Sequence, residues 1–135
     1  MVATILNYIN KIMKSYGKEL ILDLHGCDAS TFKRESIREF FKELCTLIDM
    51  ERCKLYWWDD YGVPQEEQET EPHMKGTSAV QFIRTSTITI HTLDLMNNVY
   101  LNIFSCKDFD PNITKEFSEE WFRGKIANSH VIERK

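Results

Sequence analysis

Ser78, Ser86, His91 and Cys106 are the side chains in this sequence whose types and spacing could carry acyl and proton-transfer chemistry. The runs around them, at about 78–83, 87–92 and 99–105, are rich in β-branched and aromatic residues and read as strands. If the last two form a hairpin centred near Met96, Cys106 falls opposite Ser86, and cross-strand neighbours sit about 4.5 to 5.5 Å apart. A thiol and a hydroxyl would then meet. Singly, each group has an ordinary explanation: a hydroxyl on a strand, an imidazole at a strand end, a cysteine packed as a small apolar residue. Their joint spacing is what points to a site. Ser86 and His91 have opposite parity, so a bulge or sharp bend beside Ser86 is expected to bring them to one face.

These strands need a scaffold, and the rest of the chain supplies one. Val2, Ile5, Leu6, Ile9, Ile12 and Met13 have helical spacing and predict an amphipathic N-terminal helix, read as docking on the body of the protein. Residues 19–25 read as a strand stopped by Gly26. Ser30 or Thr31 then offers an N-cap for a helix over 33–48, with Ile37, Phe40, Phe41, Leu44, Leu47 and Ile48 as its buried stripe. A strand at 54–58 ends in Trp57 and Trp58, one indole of which is expected in the core. The polar, acidic stretch 59–76, broken by Gly62, Pro64 and Pro72, reads as a long mobile loop. Pro111 opens a second helix with Ile113, Phe117, Trp121 and Phe122 on its inner side, and a last strand follows at 125–132. The order β-α-β-β-β-β-α-β predicts an α+β two-layer sandwich: an antiparallel sheet with two main helices on one face. Residues 14–135 form one domain on this reading, and 1–13 a helical extension.

Composition narrows the function classes. Seventeen basic residues against 21 acidic give a net charge of -4 without any basic cluster, which argues against a nucleic-acid partner. The apolar runs fall well short of the ~20 residues that span a bilayer, and no signal peptide is evident, so a cytoplasmic protein without membrane contact is expected. Cys27, Cys45, Cys53 and Cys106 show no C-x-x-C pair and are read as reduced thiols. With His25, His73 and His130 they give no short paired spacing, so no metal is expected.

The segment from Gly76-Thr77-Ser78 through Arg84-Thr85-Ser86-Thr87 to Ile90-His91-Thr92, followed by Phe104-Ser105-Cys106, resembles the processing region of the prokaryotic S-adenosylmethionine decarboxylases. That family has Gly-x-Ser before one strand, then Glu-Ser-His-x-Ser-Ile-His-Thr, and Phe-Thr-Cys a strand later. Residues 13–18 and His25-Gly26-Cys27-Asp28 resemble its opening strand and flanks, so the likeness covers about 13–133. The resemblance implies that the Ser86 hydroxyl attacks the Thr85 carbonyl, that the resulting ester eliminates, and that Ser86 becomes a pyruvoyl group. The chain would divide into 1–85 and 86–135. Ser78 and His91 would assist this processing. The pyruvoyl group would condense with a substrate amine as a Schiff base, and Cys106 would donate the proton that follows loss of carbon dioxide; no external cofactor is implied. The family also implies a homodimer with the active site near the subunit interface, to which Phe82, Tyr100 and the N-terminal helix could contribute. Its role is to make the aminopropyl donor for spermidine, in polyamine biosynthesis.

The sequence departs from the family in two places. Thr85-Ser86-Thr87 stands for Glu-Ser-His, and Leu93-Asp94-Leu95 for the Trp-Pro-Glu whose carboxylate holds the substrate's ribose. Pro72 stands where the family places a phenylalanine against the adenine. Asp94 is the available replacement carboxylate. Three readings follow: an S-adenosylmethionine decarboxylase, a relative acting on ornithine or arginine, or an unprocessed homologue that binds a small amine or a partner protein.

Overall fold

The computed structural model describes residues 1–135, with residues 10–14 described by backbone alone. Helix α1 spans Val2–Lys14, followed by β1 Gly17–His25, α2 Arg34–Leu47, β2 Arg52–Trp58, β3 Gly76–Ile83, β4 Ser86–Leu93, β5 Asn98–Ser105, α3 Pro111–Phe122 and β6 Lys125–Arg134. The six strands form one sheet in the order β2-β3-β4-β5-β1-β6, with every neighbouring pair antiparallel. This is the α+β two-layer architecture that the alternation of strands and helices implied.

Side-chain alternation decides which face is covered. Leu20, Leu22 and Leu24 of β1, Ile88 and Ile90 of β4, and Val99, Leu101 and Ile103 of β5 all point to one side and are buried. Helices α2 and α3 close that side. Phe40 lies at the junction, its ring 4.7 Å from that of Phe122 and 5.5 Å from that of Phe117. Each such side chain contributes about 1.5–3 kcal/mol by leaving water. The other sheet face carries no helix among the described residues and exposes Tyr56, Trp58 and Phe82.

Several local expectations change. The capping group is Asp28, whose carboxylate accepts from the Ser30 N–H and starts a short 3-10 turn at Ala29–Phe32. Neither Ser30 nor Thr31 caps α2, which begins after Lys33 with no side-chain cap. Within α2, Cys45 rather than Leu47 completes the buried stripe, because 37, 41, 44, 45 and 48 share one side of a 3.6-residue period. In α3, Thr114, Ser118 and Phe122 are innermost while Ile113 is exposed. The two hydroxyls can be buried because each donates to the carbonyl four residues back, at 3.1 and 2.7 Å.

Residues 59–75 are not the featureless loop that their composition suggested. Arg34 grips Asp59 with two bonds of 2.7 and 2.6 Å, Lys75 pairs with Asp60 at 2.9 Å, and a 3-10 turn forms at Gln65–Glu67. Trp57 packs against the core and Trp58 does not. Helix α1 forms as its periodicity predicts, but Val2, Ile5, Leu6 and Ile9 are exposed rather than docked; Ile12 and Met13 lie outside the described side chains. No helix among the described residues is long and apolar enough to cross a membrane.

Candidate active site

The β3–β4 hairpin closes through a two-residue turn, Arg84-Thr85, between the paired residues Ile83 and Ser86. Thr85 adopts φ 55°, the left-handed region that its branched Cβ disfavours. Such a residue stores about 1–3 kcal/mol, here on the residue whose carbonyl joins Ser86. The Thr85 hydroxyl donates to its neighbour's carbonyl, the Arg84 oxygen at 2.8 Å, and its Oγ1 lies 3.0 Å from Cys106 Sγ.

Ser86 faces the helix-covered side at the end of β4 and is buried. Its Oγ accepts from the Cys106 N–H at 3.0 Å and donates toward Cys106 Sγ at 3.7 Å. Two hydroxyls and a thiol thus form one cluster. Hydrogen bonding with Thr85 and then with Ser86 holds the Cys106 thiol below its ordinary pKa, against the opposing effect of burial. The register is one position off the expected hairpin. Thr87 pairs with Phe104, which extrapolates to Cys106 level with Thr85 rather than Ser86. The shift arises because β4 and β5 join through four residues, 94–97, ending in Asn97 at φ 57°.

Ser78 and His91 face each other across β3 and β4, with Ser78 Oγ 2.7 Å from His91 Nδ1 on the open face of the sheet. The expected bulge beside Ser86 does not occur. Pairing of β4 with β3 runs without a register shift from Ser86 to Leu93, and the bend falls at Thr85, upstream of the serine, where it cannot alter parity. Ser86 and His91 therefore stay on opposite faces, separated by five residues, or about 17 Å of strand. The structure brings Thr85, Ser86 and Cys106 together, and Ser78 and His91 together, but keeps the two groups apart within one chain.

Asp94 sits in neither group. It lies beyond the far end of β4, roughly 25 Å from Ser86 by strand rise, in a cleft of about 1040 Å³ shared with Arg34, Arg38, Asp59, Asp60 and Lys75. Desolvation raises its carboxyl pKa, with Lys75 partly opposing. Arg34 holds the Asp59 carboxyl below the usual range and stacks between Trp57 and Tyr61, 5.1 and 4.4 Å from their ring centroids.

Two contributors were not singled out from the sequence for the parts they take here. The Thr85 hydroxyl touches the thiol, and Tyr16 stacks on Phe104, two residues before Cys106, at 6.2 Å. Gly17 makes the approach of β1 possible, since a Cβ there would collide with the Ser105 carbonyl.

The S-adenosylmethionine decarboxylase family model matches residues 18–135. The crystal structure of the adenosylmethionine decarboxylase from Aquifex aeolicus VF5 superposes with a TM-score of 0.69 at 20% identity, covering 90% of this chain and 92% of that one. Comparison with curated protein sequences gives no match. With the fold shared and the family pattern running through every strand of the sheet, the chain belongs to the S-adenosylmethionine decarboxylase family.

Proposed function

We propose that this protein cleaves itself between Thr85 and Ser86 and acts as a pyruvoyl-dependent decarboxylase of a small amine, S-adenosylmethionine foremost. The observation that carries this reading is the Ser86 hydroxyl, next to a conformationally strained Thr85 and bonded to Cys106. In the processing reaction, Ser86 Oγ attacks the Thr85 carbonyl carbon and its proton passes to the departing amide nitrogen. Elimination then removes the Ser86 Cα proton and breaks the Cβ–O bond, releasing Thr85 as a carboxylate. Water finally displaces the nitrogen as ammonia. Strain at Thr85 favours the first step because the scissile peptide begins above its relaxed energy.

The residues present fit a pyruvoyl group at position 86: the precursor serine is there, with a thiol in contact. Such a group supplies an electrophilic carbonyl for the substrate amine and a sink for the electrons left by departing carbon dioxide. Cys106 then delivers a proton to the substrate carbon, with the Thr85 hydroxyl beside its sulfur.

His91 and Ser78 enter this reading through a second copy of the chain. The distance along β4 denies His91 access to the Ser86 of its own chain, whereas the open sheet face, with Phe82 and Tyr100, offers a surface for a homodimer that would lend the imidazole in trans. Co-expression of a Ser86→Ala chain with a His91→Asn chain is expected to restore cleavage to the latter, although neither cleaves alone. If the mixture stays uncut by intact mass, trans assistance is wrong.

The placement of Asp94 favours a second substrate reading. It stands far from Ser86 of the same chain, and the family's ribose-binding carboxylate is replaced, so a basic amino acid lacking the nucleoside, ornithine or arginine, is the alternative. Intact mass should show fragments split between residues 85 and 86, and carbon dioxide release from S-adenosylmethionine, ornithine and arginine in parallel should identify the substrate. An uncut chain after prolonged incubation would instead support a non-catalytic homologue binding a small amine or a partner protein.

A further inference from the structure

Resting on the processing reaction above, we propose that self-cleavage converts Cys106 into a neutral acid: the carboxylate released on Thr85 stays beside the thiol and keeps its proton on. In the uncleaved chain a hydroxyl donor at the sulfur pulls the other way. Ser86 Oγ donates toward the sulfur at 3.7 Å, and a hydroxyl donor there favours a thiolate, whereas Thr85 Oγ1, 3.0 Å from the sulfur, gives its own proton to the Arg84 carbonyl. A thiolate cannot donate the proton that decarboxylation requires.

Cleavage reverses this influence through a single atom. Elimination breaks the Cβ–O bond of Ser86, so the serine oxygen departs as one oxygen of the new Thr85 carboxylate. Position 86 thereby loses its donor to sulfur. The same oxygen accepts the Cys106 N–H at 3.0 Å, and that bond can hold the carboxylate in place. A negative charge beside the sulfur then disfavours a second one.

The surrounding cations are already engaged. Arg84 pairs with Glu51 at 3.5 Å, Lys107 with Asp49 at 2.6 Å, Lys18 with Asp108 at 2.6 Å and Arg134 with Glu19 at 2.6 Å. Among the described residues of the elements packed around Cys106, each of these positive charges therefore already has an acidic partner.

The test compares cleaved wild type with the uncleaved Ser86→Ala chain, which also lacks the serine donor and so isolates the new carboxylate. Iodoacetamide labelling of Cys106 is followed by peptide mass, which separates it from exposed Cys53; Cys27 and Cys45 are buried, their thiols pushed up to about 11. At neutral pH, Cys106 of the cleaved protein should label about tenfold more slowly, and the two rates should converge at alkaline pH. Equal rates at neutral pH would overturn the inference, as would a gap that persists at alkaline pH, since that signals steric shielding. Intact mass recorded first shows whether cleavage took place, so failure of the processing reaction is seen separately from failure of the thiol switch.

Discussion

Ser86→Ala is expected to give a single uncut chain of 135 residues and to lower carbon dioxide release by at least ~10⁴-fold, the scale seen when a covalent nucleophile is lost. The substitution removes the hydroxyl proposed to attack Thr85 and, with it, the source of the proposed electrophilic carbonyl. Folding should survive. Ser86 is buried at the end of β4, and its loss frees one backbone donor, the Cys106 N–H, at a cost of about 1–3 kcal/mol. Circular dichroism and intact mass on the same preparation separate the two effects. A cut Ser86→Ala chain, or one with wild-type turnover, would eliminate Ser86 as the precursor.

The second large effect is expected from Cys106→Ala, which should process nearly as wild type but lower kcat by about 10²–10³-fold with little change in KM. The backbone N–H that bonds Ser86 Oγ is retained in alanine, so the geometry of attack persists. In the proposed reaction the sulfur acts only when a proton reaches the substrate carbon, which would place its contribution in the transition state rather than in binding. Loss of cleavage in this variant would move Cys106 from turnover to processing. A rise in KM with kcat unchanged would make it a binding residue.

Much of the fold could be read from the chain because its strands obey a two-residue alternation and α2 a clean helical stripe. Leu20, Leu22 and Leu24 or Ile88 and Ile90 leave little freedom about which face is inside. The difficulties arose where local chemistry competes with pattern. Asp28 takes the cap because its carboxylate reaches the Ser30 amide, and the small hydroxyls of α3 are interior because they satisfy themselves on their own helix. Residues 59–75 look unstructured by composition, yet Arg34 and Lys75 hold them through pairs far apart in sequence.

The candidate site was legible as a set of residues but not as a geometry. Spacing placed Ser86 near Cys106, and a four-residue β4–β5 connection, centred between Leu95 and Met96 rather than on Met96, moved the register by one rung. The distance between Ser86 and His91 followed from parity alone, but the expectation of a bulge obscured it. Nothing in Arg84-Thr85 signals a tight turn, since neither residue is among those that readily take positive φ. The strain at Thr85 was accordingly invisible in the sequence.

The sheet order has a consequence for the processed protein. Strands β1, β2 and β3 precede position 86, whereas β4, β5 and β6 follow it, yet β1 is inserted between β5 and β6. The two pieces would be interleaved like fingers of clasped hands, not laid side by side. Once the bond is cut, unfolding becomes a dissociation, and regaining the native state requires two separate polypeptides to find each other and rethread a strand between two others. Maturation would thus leave the molecule dependent on never coming undone.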